Sequence, residues 1–228
     1  MAHPLASLNH QKQFRIIPST YPPINFFETV VDASEMDLLF EIESLTNERL
    51  REKAGEFNLV PVEDRVSGNN ASIVMAAFTH IHTPSRFSDG TYGIYYAGLS
   101  LETSIRETAH HRERFMQATN ESASELTMRV YEGEVLKPLH DLRKIKDEAY
   151  YHPTHYTPAQ TLGRSLRSEK SWGLIYRSVR HAGGECIAVF RPPAISLPRQ
   201  AQHLKYIWNG ENITEVVSVK SVLTLKRA

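Results

Sequence analysis

The sequence predicts an α+β fold, and three observations carry that expectation. Strand-like and helix-like segments do not alternate regularly along the chain, which disfavours doubly wound and barrel architectures. At 228 residues the chain exceeds the usual single domain and falls short of two comfortable ones. Its 41% hydrophobic and 23% charged residues are ordinary globular composition, sufficient for one sizeable core.

Taken from the N-terminus, "PSTYPPINFFE" (18–28) is proline-rich and extended. It leads into "SEMDLLFEIESLTNERLREKAGE", where Ser34 and Asp37 form a variant capping box and Leu38, Leu39, Ile42, Leu45 and Leu50 recur at helical spacing until Gly55. A short helix is expected over 71–78, "ASIVMAAF", after a polar turn. The aromatic run "YGIYYAG" (92–98), bounded by Gly90 and Gly98, reads as a strand. A helix follows over 101–116, capped by Ser100. Further strands are expected at "ELTMRVYEG", "GLIYRS", "ECIAVF" and "ITEVVSVKSVLTL", with one more helix, "PAQTLGRSLRSE", capped by Thr157 with Pro158 in its first turn. We expect residues 1–70 to form a helical extension packed on a core of residues 71–228.

Composition excludes several function classes. Lys plus Arg and Asp plus Glu both total 26, so no long-range field recruits nucleic acid or an anionic membrane, and any anion site must be local. The single cysteine, Cys186, permits no intramolecular disulfide and fits a reducing compartment. With no secretion signal pattern and no apolar run near the roughly 18 residues a membrane span needs, a cytoplasmic protein is expected. Neither Gly-x-Gly-x-x-Gly after a strand nor Gly-x-x-x-x-Gly-Lys occurs. The histidine pairs His80 and His82, His110 and His111, and His152 and His155 lack the i, i+4 spacing of a helical zinc site, so no metal is expected. Cys186, inside "ECIAVF", reads as a small buried strand residue rather than a nucleophile.

What remains is a constellation in "RFSDGTYGIYYAGLSLETSIRETAHH" and "RSLRSEKSWGLIYRSVRHAGGE". Arg86 precedes a polar turn that can hold its side chain near the next strand; an ordinary surface arginine is the alternative. Tyr95 and Tyr96 must point to opposite faces, so at most one lines a given pocket. On the helix, Leu101, Ile105, Ala109 and Met116 form the apolar stripe, and Glu107 lies off it beside Ser104 and His111. By that geometry alone Glu107 is a surface carboxylate, and spacing does not choose between it and Glu102. Arg164, Arg167, Lys170, Arg177 and Arg180 crowd one region with Glu169, either as a solvated basic face or as a local phosphate site. Ser178 ends a strand, where its hydroxyl can turn toward a pocket or stay an ordinary strand-end serine.

These two segments together resemble the RES domain family, named for its arginine, glutamate and serine. The resemblance covers about 78–192 and, more loosely, Phe14 and Arg15. By position the family's arginine falls on Arg86, its strand tyrosine on Tyr96, its glutamate on Glu107 and its serine on Ser178. Phe87 stands where many members carry tryptophan or tyrosine, and the chain before Ala71 is longer than in compact members. The resemblance implies a mixed, split β-sheet similar to ADP-ribosyltransferase toxins, built around an NAD cleft. It further implies a bacterial toxin that depletes NAD, by phosphorolysis or hydrolysis, and is neutralised by a DNA-binding antitoxin of the Xre type. Arg86, Tyr96, Glu107 and Ser178 are then the expected catalytic residues, with Phe87, Ser88 and Arg180 contacting NAD. NAD cleavage needs stabilisation of an oxocarbenium-like ribosyl cation and a grip on the pyrophosphate, for which a carboxylate, an arginine fork and an aromatic face are suited. Transfer of ADP-ribose to a protein is a second reading, and a non-catalytic nucleotide- or RNA-binding module a third.

Overall fold

The computed structural model describes residues 3–19, 57–145 and 147–220. The helix expected over 34–55 lies outside the described residues, as does the end of the last expected strand. Among the described residues nine strands join in one mostly antiparallel sheet: β1 (Leu5–Ala6), β2 (Lys12–Pro18), β3 (Tyr95–Gly98), β4 (Ser124–Glu134), β5 (Leu139–Asp141), β6 (Gly173–Arg177), β7 (Glu185–Val189), β8 (Arg199–Trp208) and β9 (Ile213–Val219). Their order is β1-β5-β6-β7-β3-β2-β4-β8-β9, and the β5–β6 pair is parallel, so the sheet is mixed.

The sheet is continuous but nearly parted in the middle. Strand β2 pairs with β4 at seven positions from Lys12↔Glu134 to Pro18↔Met128, whereas it meets β3 only at Phe14↔Gly98. Two half-sheets, β1-β5-β6-β7-β3 and β2-β4-β8-β9, therefore diverge from a single point. Strand β2 itself lies inside the sheet, between β3 and β4.

Alternation along the strands sets what each face buries. Tyr95, Ala97, Ile175, Ile187 and Val189 pack with α1 (Ala71–Thr79), a helix that is apolar nearly all round and correspondingly buried. On the other face Leu174, Tyr176, Cys186 and Ala188 join Phe87, Tyr92 and the inner side of α3 (Thr157–Ser168), notably Ala159 and Leu166. Helix α2 (Leu101–Ala118) starts at Ser100, whose hydroxyl accepts the Thr103 amide, and lays Leu101, Ile105 and Ala109 on Ile16, Met128, Val130 and Tyr206. The cap expected at Thr157 is instead the first helical residue of α3, after Tyr156, and no side chain caps it. Among the described residues no helix is long and apolar enough to cross a membrane.

Candidate active site

A cavity of about 420 Å³ opens where β2 and β3 part, walled by Phe14, Arg15 and Ile16 on one side and by Tyr96, Ala97 and Gly98 on the other. Helix α2 closes it with the flank that carries Ser104, Glu107, Thr108 and His111. That flank is off the apolar stripe, so periodicity reads it as surface; the parted sheet gives it something to face. Gly98 is needed for this approach, since a Cβ there would press on the backbone and hydroxyl of Ser104. The Ser104 hydroxyl, in turn, donates to the Phe14 carbonyl at 2.9 Å and ties α2 to β2. Across the gap Arg15 Nη1 donates to the Tyr96 carbonyl at 2.9 Å, and its guanidinium lies 4.6 Å from the Tyr95 ring centroid.

The Arg86 turn is fastened from several directions. Ser88 is buried, accepts the Gly90 amide and donates to the Tyr92 carbonyl at 2.6 Å. Gln160 of α3 donates to both the Ser85 and Ser88 carbonyls, and Gly163 lets the α3 backbone touch the Phe87 carbonyl, which any Cβ would overlap. Asp89 accepts from Thr91 and pairs with Arg164, and these bonds pull its carboxyl down to about 2. Arg86 is thereby directed at the cavity, its Nη1 donating to the Tyr150 and His152 carbonyls at 3.0 Å each and its guanidinium 4.8 Å from the Tyr156 ring centroid.

The two tyrosines of β3 divide as alternation requires. Tyr95 is fully buried and donates to Gln13 Oε1. Tyr96 lines the cavity, with its hydroxyl bonded to Ser85 Oγ at 2.9 Å and accepting the Phe87 amide at 3.0 Å; burial raises its pKa.

Glu107 and Ser178 meet. The Ser178 hydroxyl donates to Glu107 Oε1 at 2.6 Å while accepting the Arg180 and His181 amides at 3.1 and 2.9 Å. The loop that presents it is closed by Ser178 N–H to the Gly184 carbonyl. Cys186 Sγ stands 3.9 Å from the same carboxylate oxygen, and burial together with that negative charge pushes its thiol pKa well up, which keeps it un-ionised.

Among the described residues Glu107 is the only carboxylate lining the cavity, against four arginines: Arg15, Arg86, Arg114 and Arg180. Among the described residues none of the four makes an ion pair; Arg86 and Arg180 donate to backbone carbonyls instead, Arg180 Nη2 to Pro153 at 2.7 Å. Burial lowers the Arg15 pKa from its ordinary value. Carbonyls orient a guanidinium without neutralising it, so the cavity keeps an excess of positive charge suited to an anion. No cluster of three or more His, Cys, Asp or Glu side chains that could hold a metal occurs among the described residues.

Arg86, Tyr96, Glu107, Ser178 and Arg180 thus converge, and two expected NAD contacts stand elsewhere. Phe87 is core, packed edge-on against Tyr176 at 5.0 Å, and Ser88 is sealed inside the turn it organises. Neither lines the cavity. The basic segment also disperses: Arg164 pairs with Asp89, Arg167 lies over Tyr92, Arg177 pairs with Glu148, and only Arg180 turns to the cavity. Missing from the expected set were Arg114, His111 and Tyr156, which line the cavity, and Arg15, which the resemblance touched only loosely. A charged residue inside the apolar run "FRII" was the available signal for Arg15.

A family model described as the RES domain matches residues 63–209, well over half of the chain. The uncharacterized protein y4oC of Sinorhizobium fredii is 28% identical over 204 residues, which cover 88% of this chain and 84% of that protein. A chain in the crystal structure of the M. tuberculosis MbcT-MbcA toxin-antitoxin complex is similar with a TM-score of 0.40 and 12% identity, over 54% of this chain and 72% of that one.

Proposed function

The chain belongs to the RES domain family, and on that footing we propose that its cavity binds NAD and cleaves the bond between nicotinamide and ribose. One observation carries the reading. Among the described residues a lone carboxylate, Glu107, is fixed by the Ser178 hydroxyl in a cavity lined by four arginines without acidic partners.

The nicotinamide of NAD is a pyridinium and leaves without a general acid. When the C1′–N bond breaks, its electron pair passes to the ring nitrogen, neutral nicotinamide departs, and positive charge develops on the ribose. A negative group held in advance beside that carbon stabilises the transition state more than the ground state. In this reading Glu107 takes that role, and the Ser178 hydroxyl bonded to it orients it. Arg15, Arg86 and Arg180 hold the pyrophosphate oxygens, and Tyr96, locked by Ser85 and the Phe87 amide, forms the wall against the nicotinamide ribose. The acceptor that takes the ribosyl group is phosphate, water or a protein side chain. A chain with this activity depletes NAD where it is made and acts as a toxin, and the resemblance drawn from its motifs supplies the restraint: a cognate antitoxin of the Xre type.

Incubating the purified protein with NAD and phosphate, with products identified by mass spectrometry, tests the reading. NAD loss with release of free nicotinamide is expected, and Glu107→Gln, which keeps shape and removes charge, is expected to lower the rate by about a thousandfold. ADP-ribose phosphate, ADP-ribose or a modified protein identifies the acceptor. Undiminished turnover by a folded Glu107→Gln protein would overturn the assignment.

A further inference from the structure

Arg86 and Arg180 come from distant parts of the chain, one in the turn before β3 and the other in the loop after β6, yet both grip one short segment, Tyr150–Tyr156, on the way into α3. Arg86 Nη1 takes the Tyr150 and His152 carbonyls, and Arg180 Nη2 takes the Pro153 carbonyl. The segment is itself stiffened. Tyr151 donates to the Leu142 carbonyl at 2.6 Å, His152 Nδ1 accepts the Thr154 and His155 amides, and the Tyr156 hydroxyl donates to the Pro153 carbonyl at 3.1 Å. Its last residue turns back to place an aromatic ring 4.8 Å from the Arg86 guanidinium and at the cavity wall.

A guanidinium offers five N–H donors. The strap occupies one terminal nitrogen of each arginine and leaves the remaining donors and the full charge for the cavity. We propose that Tyr150–Tyr156 is a positioning strap that fixes the separation and facing of Arg86 and Arg180 for the two linked phosphates of a dinucleotide, with Tyr156 as the positioning residue that holds Arg86 in place. This rests on the NAD reading above and adds a selectivity to it. A substrate with two bridged phosphates gains from both arginines at their fixed spacing, whereas nicotinamide mononucleotide, with one phosphate, engages one of them. Holding the pair in advance removes the ordering cost that flexible arginines would meet on binding.

The strap's carbonyls cannot be deleted by side-chain substitution, but the Tyr156 ring can. Steady-state kinetics of wild type, Tyr156→Ala and Tyr156→Phe with NAD and with nicotinamide mononucleotide test the proposal, alongside calorimetric binding of both probes to the Glu107→Gln protein. Loss of the cation–π contact in Tyr156→Ala is expected to raise KM for NAD about fivefold with kcat within about twofold of wild type, and to change KM for the mononucleotide less. Tyr156→Phe keeps the ring and should stay within about twofold of wild type on both substrates. An equal rise in KM for both substrates, an effect confined to kcat, or no effect of Tyr156→Ala would overturn the strap while leaving NAD cleavage intact. If NAD is neither bound by the Glu107→Gln protein nor consumed by wild type, the NAD reading itself fails and the strap with it.

Discussion

The Ser178 hydroxyl donates to Glu107 Oε1 at 2.6 Å and accepts two backbone amides, those of Arg180 and His181, so every hydrogen-bonding position of that oxygen is used. The carboxylate is therefore aimed by main chain acting through a serine. Removing the oxygen in Ser178→Ala frees Glu107 to rotate and unties the loop that carries Arg180. A fall in kcat of about ten- to a hundredfold is expected, with a smaller change in KM for NAD. Unchanged kcat in a correctly folded Ser178→Ala protein would mean that the serine does not orient the carboxylate.

Arg15 should show the opposite balance between stability and function. It is a half-buried cation with no acidic partner among the described residues, held by the Tyr96 carbonyl and the Tyr95 ring. Holding an uncompensated charge there opposes folding. Arg15→Met keeps the apolar stem and removes the charge. The melting temperature is expected to hold or rise, while KM for NAD rises by at least about tenfold, because a charge-assisted bond to phosphate is lost. A lower melting temperature with unaltered KM would make Arg15 a structural staple only.

Stability away from the cavity should depend on Asp64 and Arg191. Asp64 is buried and receives both Nε and Nη2 of Arg191 at 2.7 Å, and the Arg191 guanidinium lies 4.0 Å from the Trp172 ring centroid. Asp64→Asn keeps the size of the side chain but strips the arginine of its counter-charge. Equilibrium urea unfolding should register a loss of about 3 kcal/mol, with NAD turnover at 25 °C preserved because neither residue lines the cavity.

Histidine 110 introduces a pH dependence. Its Nε2 is buried with no hydrogen-bond partner among the described residues, and burial, reinforced by Arg180, His111 and Arg114, lowers its pKa from 6.5 to about 4. Between those values the unfolded chain binds a proton that the folded chain refuses. Stability therefore increases with pH across this window and is lost as pH falls from about 6.5 toward 4. Urea midpoints measured from pH 7 down to pH 5 should decline in wild type and decline less steeply in His110→Gln. Parallel slopes in the two proteins would remove His110 as the cause.

The limits of the sequence are physical and can be read from individual elements. Helix α2 was legible because Ser100 caps it and its stripe is strictly periodic, and β6 and β7 because short apolar runs end at Gly173 and beside Gly184. Strand β2 was not read as a strand: Gln13 and Arg15 interrupt its apolar residues, and their side chains bond distant tertiary partners, the Tyr95 hydroxyl and the Tyr96 carbonyl. Strand β8 begins with polar residues and turns apolar only at its end. Glu107 was found through the family's pattern and not through its spacing, since what faces it is created by two half-sheets parting, an event no local pattern encodes. Phe87 shows the converse: its motif position suggests an NAD contact and its residue type a core position, and the close approach of α3 at Gly163 seats the ring in the core.

The seam between β2 and β3 also bears on how the protein folds. The strand that pairs with β2 along its whole length is β4, more than a hundred residues later, and the loop presenting Ser178 follows later still. Pairings of such sequence separation close large loops and form slowly. The Arg15 wall, the Arg86 turn and Glu107 therefore meet Ser178 and Arg180 only once these distant segments have been drawn together.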